Sequence, residues 1–232
     1  MLRHLMLSGG SDIRSYIIQL LLSLPIILLA LSLHETAHGY VAYKLGDPTA
    51  RNLGRLTLNP VKHLDPIGFL CMLLAGFGWA NPVPINSRNF KNPRRDIALT
   101  SIAGPVSNLL TAFIFVIIYR FTGPEGESSI RLVLDGGGTV LDKIYFYLFV
   151  FISLAIQMNI TLAVFNLLPI PPLDGSKILY MFLPPKTYFK IAPYERYISI
   201  AFMLLLLTGI VSPLLSTVTG YIMNGMFFVV GL

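Results

Sequence analysis

Charge is what this 232-residue chain has least of. Asp, Glu, Lys and Arg together make up 12% of it, against about a quarter in ordinary soluble domains. Hydrophobic residues make up 54%, and the mean hydropathy is +0.70. These values exclude a soluble globular domain and place the chain in a membrane. The formal charge is +6, but a nucleic-acid binder carries its Lys and Arg on a polar face, and this chain has little polar face; no nucleic-acid partner is expected. A lone cysteine, Cys71, excludes an intrachain disulfide and suits a small buried hydrophobe. Internal repeats and low-complexity tracts are absent. No convincing cleavage site follows the apolar stretch after Arg3 and Arg14, so that stretch reads as a retained first membrane helix and not a signal peptide.

What the chain has in quantity is long apolar runs. About 20 helical residues cross the hydrocarbon core of a bilayer. Residues 16–44 suffice for one span, with Pro25 expected to kink it. Residues 97–119 and 144–168 read as the second and third spans, 194–212 as a fourth, and 214–231 can make a fifth beyond Pro213. Residues 55–58, RLTL, read as a short extended segment. Residues 120–142 carry loop signals, GPEGESS and DGGG, and 176–183 read as a short amphipathic helix. The expected fold is an all-α polytopic membrane protein with a re-entrant or short extended segment after the first helix.

Residues 66–80, PIGFLCMLLAGFGWA, decide the topology. The loop before them carries Lys44, Arg51, Arg55 and Lys62; the loop after them carries Arg88, Lys91, Arg94 and Arg95. If 66–80 crossed, these basic loops would lie on opposite sides. If the segment dips in and returns, both are cytoplasmic, as the bias of Lys and Arg toward that side favours. Loop 120–142, with Glu125, Glu127, Asp135 and Asp142, then lies outside, and 174–196, with Lys177, Lys186, Lys190 and Arg196, lies inside.

Ionisable groups inside a span are costly and mark function, and the first span contains three in LSLHETAHGY. His34 and His38 fall on one helix face a turn apart. That spacing lets two imidazoles reach one Zn²⁺. Glu35 lies about 100° around the helix, beside the metal position without pointing along the ligand direction, where it can act as general base toward water. Chance would produce H-E-x-x-H from four His and four Glu in roughly one such sequence per thousand. A catalytic zinc usually takes a third protein ligand and keeps one position open. Glu125, Glu127, Asp135 and Asp142 belong to the opposite loop. Asp12 is near the outer end of the first span, and Asp47, Asp65 and Asp96 have ordinary loop or capping roles open to them. Asp174 remains, in N-L-L-P-I-P-P-L-D-G from Asn166 to Gly175, with His63 and His4 as weaker rivals. Pro169, Pro171 and Pro172 cannot continue a helix and can turn the chain so that Asp174 faces the bundle. The bland alternative is that Asp174 caps a helix starting near Ser176.

H-E-T-A-H on one membrane helix, followed by N-L-L-P-I-P-P-L-D-G at the end of a later one, resembles the site-2 protease family of intramembrane zinc metalloproteases. Ala103-Gly104-Pro105-Val106-Ser107-Asn108 also looks like the family's remaining core signature. The resemblance covers about 20–185. It implies His34, His38 and Asp174 as ligands of one Zn²⁺ per chain, Glu35 as the catalytic residue, and a three-helix catalytic core. The implied organisation is a single integral membrane metalloprotease domain over 1–232, with its core at about 16–185 and C-terminal membrane helices at about 194–231, compact and without room for PDZ or CBS domains. The implied activity is hydrolysis of peptide bonds in or near transmembrane segments of membrane proteins. The expected location is the cell membrane, with the active site toward the cytoplasm.

Asn166 adjoins the metal motif and is expected to hold substrate backbone or an oxyanion. Asn108, Gln157 and Asn159 fit helix-to-helix hydrogen bonding better, and Gly104 with Ser101, Ala103 and Ser107 fits close helix packing. An unwound substrate could add as a strand to the edge of RLTL. The alternatives to a protease are a metal transporter and a silent scaffold that binds membrane helices. The first needs a polar path that the apolar outer half of span one does not offer, and the second has no use for Glu35.

Overall fold

The computed structural model describes residues 12–75, 78–134 and 136–232; His4 and Asp135 lie outside the described residues. Nine α-helices are described: α1 (Asp12–Lys44), α2 (Thr49–Asn52), α3 (Pro66–Ala75), α4 (Pro93–Leu134), α5 (Val140–Asn166), α6 (Asp174–Phe182), α7 (Pro185–Ile191), α8 (Glu195–Leu207) and α9 (Ser212–Val230). Among the described residues there are no strands, only an isolated antiparallel bridge. Among the described residues, four stretches are long and apolar enough to cross a membrane: Leu20–Lys44, Pro93–Gly123, Val140–Asn166 and Ser212–Val230. The protein is thus an all-helical, multi-pass membrane protein. Its backbone forms two compact units, one ending at Gly104 and the other beginning at Pro105, with the boundary inside α4.

In the first unit α1 continues through Pro25 without a break. The chain beyond Lys44 folds back on α1 through polar groups. The Thr36 hydroxyl donates to the Thr57 carbonyl at 2.6 Å, and the His63 Nε2 meets the same carbonyl at 2.7 Å. These side chains take the place of a partner strand. Residues 56 and 57 are bends, and no strand forms over the RLTL segment that was expected to be extended.

The chain returns after α3 to the place where it set out. α3 has 10 residues, about 15 Å of helix against a hydrocarbon core of about 30 Å. On either side of it, Leu64 and Ala80 form the antiparallel bridge, and Asn81 N donates to His63 O at 2.8 Å. Gly68 permits the tight return, because a Cβ there would collide with the Trp79 carbonyl. Asp47, fully buried, ties the next loop down. It accepts from Asn86 N at 2.7 Å, Asn89 Nδ2 at 2.7 Å, Thr49 N at 3.1 Å and the Thr49 hydroxyl at 2.5 Å.

In the second unit, Ala112 and Val116 of α4 pack on Ile152, Ile156, Ile160 and Val164 of α5. α9 closes the cluster with Leu215, Met223 and Phe227. Asn108 Nδ2 donates to Asn159 Oδ1 at 3.1 Å across the α4–α5 contact, the helix-to-helix role expected of both. Two boundaries differ from expectation. Residues 120–134 are helix and not loop. Gly126 is there for proximity, since a Cβ would strike Phe149, and Tyr119 OH donates to Glu127 one face along at 2.7 Å. The expected span at 194–212 is a helix of 13 residues, about 20 Å and too short to cross. Gly209, at φ +75°, ends it in a conformation that suits glycine. The helix long and apolar enough to cross at this end is α9; the carbonyls at its end, Val230 O and Gly231 O, accept from the Arg120 guanidinium.

Candidate metal centre

α1 carries His34, Glu35 and His38, all buried at 4%, 8% and 6% exposure. The imidazole centroids are 4.6 Å apart and the rings stand at 89° to each other. What directs them is Gly104 of α4. A Cβ on Gly104 would lie 2.5 Å from His38 Nε2 and 2.6 Å from His34 Nε2. Both Nε2 atoms therefore converge on the hollow that the absent side chain leaves. His38 Nδ1 lies 2.7 Å from the Thr100 carbonyl, also on α4. A carbonyl only accepts, so Nδ1 carries the proton and Nε2 presents its lone pair, the usual way a protein sets the tautomer of a metal-binding histidine. Glu35 Oε2 accepts from the backbone N–H of Val83 at 2.9 Å, in a loop segment far along the chain. Two imidazoles, that of His38 with its tautomer fixed, and a neighbouring carboxylate suit zinc.

Asp174 belongs to the second unit. It is the first residue of α6 and 6% exposed. It is not the helix cap; Leu173 holds that position and gives no side-chain bond. The proline-rich run folds through turns closed by Ile170 N to Leu168 O at 2.8 Å and Leu173 N to Ile170 O at 3.0 Å. This returns Gly175 onto the carbonyls of Leu167 and Leu168 so closely that no Cβ would fit. Asp-Gly is thus pinned to the end of α5. Lys177 Nζ lies 3.3 Å from Asp174 Oδ1. Asn166, the last residue of α5, donates one amide hydrogen to Leu162 O at 2.9 Å.

The rival acids and histidine have other work. His63 Nε2 is on Thr57 O. Asp65 accepts from Gly68 N at 2.7 Å. Asp96 accepts from Asn92 N at 3.0 Å and pairs with Arg95 at 2.8 Å. Asp142 completes a capping box with Thr139. Three contributors were not legible as such in the sequence: Gly104 as the floor under the histidines, Thr100 as the acceptor for His38, and Val83 as the donor to Glu35. The one available signal was Gly104's place inside A-G-P-V-S-N, which reads better as a packing surface.

Comparison with known proteins agrees with this geometry. Residues 22–208 match the sequence profile of Peptidase family M50. The chain is 46% identical over 182 residues to "Putative zinc metalloprotease YwhC" of Bacillus subtilis (strain 168), covering 78% of each chain. It is 30% identical over 185 residues to "Putative zinc metalloprotease Rip2" of Mycobacterium tuberculosis (strain H37Rv), covering 77% of this chain and 63% of that one. It is 29% identical over 114 residues to "Putative zinc metalloprotease MJ0611" of Methanocaldococcus jannaschii, covering 49% of each. No solved structure matches the chain. The matched stretch contains both the H-E-T-A-H helix and the L-D-G turn, and the chain belongs to peptidase family M50, the site-2 proteases, a family of zinc metalloproteases.

Proposed function

We propose that this protein is an intramembrane endopeptidase that hydrolyses peptide bonds in or near transmembrane segments of membrane proteins, working as a single domain. The observation that carries the reading is on α1: two imidazole Nε2 atoms converge over Gly104, with a buried, backbone-tethered carboxylate one residue along the same membrane-spanning helix. His34, His38 and Asp174 are the residues that would hold one Zn²⁺, two imidazoles and a carboxylate being a donor set that zinc accepts. A zinc ion bound there would supply Lewis acidity toward the scissile carbonyl and the attacking water. Glu35 takes the proton from the attacking water and delivers it to the leaving amine. Asn166 offers its amide to the substrate backbone or the developing oxyanion. A helix engages its own carbonyls, so the substrate must unwind locally before its bond can reach Glu35. The basic residues flanking 66–80 favour a cytoplasmic position for that end of α1, and therefore an active site toward the cytoplasm of the cell membrane.

The test is zinc content measured beside cleavage of a reporter transmembrane substrate, for purified wild type and Glu35→Gln. The expected result is one zinc per chain in both and cleavage in wild type alone. Cleavage by Glu35→Gln at the wild-type rate, or wild type without zinc, would overturn the reading.

A further inference from the structure

The loop segment at 81–86, Asn-Pro-Val-Pro-Ile-Asn, lies over the face of α1 that presents Glu35. Pro82 and Pro84 have no backbone N–H, so the Val83 N–H is the one main-chain donor between Asn81 and Ile85, and it is given to Glu35 Oε2 at 2.9 Å. The Val83 side chain, 6% exposed, rests over Gly39, where a Cβ would stand 3.2 Å from Val83 Cγ1. Gly39 is one turn beyond Glu35 on the same face. Both ends of the segment are fastened. Asn81 N donates to His63 O at 2.8 Å, and Asn81 O accepts from Arg55 Nη2 at 2.7 Å. Asn86 N donates to Asp47 Oδ2 at 2.7 Å.

We propose that residues 81–86 form a clamp that orients the catalytic base: the Val83 N–H fixes one oxygen of Glu35, and Asp47 is the positioning residue that holds the clamp in place. A carboxylate bonded through one oxygen cannot swing freely, so its other oxygen keeps a set direction toward the water it deprotonates. The flanking prolines remove competing donors and stiffen the backbone that carries the remaining one. Asp47 does its part by accepting four donors from two sides of the loop, which fixes the far end of the segment relative to the end of α1.

The proposal rests on the protease reading, and its test separates the two. Val83→Pro removes the N–H and ties the side chain into a ring; Val83→Ala shortens the side chain and keeps the N–H. With wild type cleaving, Val83→Pro should lose roughly 10- to 100-fold in kcat relative to Val83→Ala, with KM and zinc content unchanged. Equal kcat in the two variants overturns the clamp while leaving the protease reading intact; a wild type that fails to cleave sinks the reading itself. A second measurement needs no activity and no proline variant. In hydrogen exchange, a peptide over 82–86 has amides only at Val83, Ile85 and Asn86. Glu35→Ala should convert one of these from slow to fast exchange, and an unchanged pattern overturns the proposal. For Asp47, kcat should fall in the order wild type, Asn, Ala at constant KM and constant zinc. A loss of thermal stability in Asp47→Ala with unchanged kcat would reduce Asp47 to a structural residue.

Discussion

A single methyl group at Gly104 is the smallest change that reaches both histidines. Its carbon would stand 2.5 Å from His38 Nε2 and 2.6 Å from His34 Nε2, inside van der Waals contact of both. Gly104→Ala should therefore lower zinc affinity by roughly 10- to 100-fold, the range seen when groups that orient a ligand are disturbed. Competition against a chelator of known affinity measures this. Gly220→Ala, where a Cβ would meet nothing within 4 Å, should bind zinc as wild type does. His34, Glu35 and His38 were legible beforehand because helix period alone brings residues one turn apart to one face. Asp174 could be singled out because so few other acids were left. Gly104, Thr100 and Val83 could not, because their roles depend on which helix and which loop pack against α1. That information is tertiary, and one sequence read in one dimension does not contain it.

At the scale of elements, glycine and proline misled in one place and would have helped in another. Gly123, Pro124 and Gly126 read as a loop, yet α4 runs through them because Gly126 admits Phe149. Gly209 did not stand out in an apolar run, yet its positive φ divides α8 from α9. Asp47 provides the testable element. Burial pushes its carboxyl upward, but hydrogen bonds from the Thr49 and Asn89 side chains and from the Asn86 and Thr49 backbone outweigh burial and hold it below the ordinary value of 3.8. A depressed carboxylate stabilises the fold above its unfolded pKa, and that contribution disappears as pH falls through the lower folded value. Asp47→Asn should thus melt below wild type at pH 7, and the gap should narrow only below about pH 4. Melting curves of the two proteins in one detergent across that range decide it. A gap that is constant with pH would mean that shape and not charge holds the loop.

For the whole molecule, composition already fixed the membrane setting, and the alternation of basic loops already argued for a re-entrant 66–80. The structure adds the reason that the segment can return: Leu64 and Ala80 pair, so its entrance and exit share one place. It also changes the tally of crossings. With α8 too short to span, the stretches long and apolar enough to cross, among the described residues, are Leu20–Lys44, Pro93–Gly123, Val140–Asn166 and Ser212–Val230. If these four cross and 66–80 does not, the start of the first and the end of the last are expected on one side, and the loops around α2 and α7 on the other. The measurement is labelling of single cysteines by a membrane-impermeant maleimide in sealed vesicles, in a Cys71→Ser background. Lys62→Cys, Arg88→Cys and Lys186→Cys should react from the cytoplasmic side. Gly137→Cys and Leu232→Cys should react only from the opposite side. Labelling of Arg88→Cys from the face opposite Lys62→Cys would mean that 66–80 crosses, which the Leu64–Ala80 pairing forbids. Labelling of Leu232→Cys from the cytoplasm would mean that α8 crosses with its flanking turn, against its length of about 20 Å.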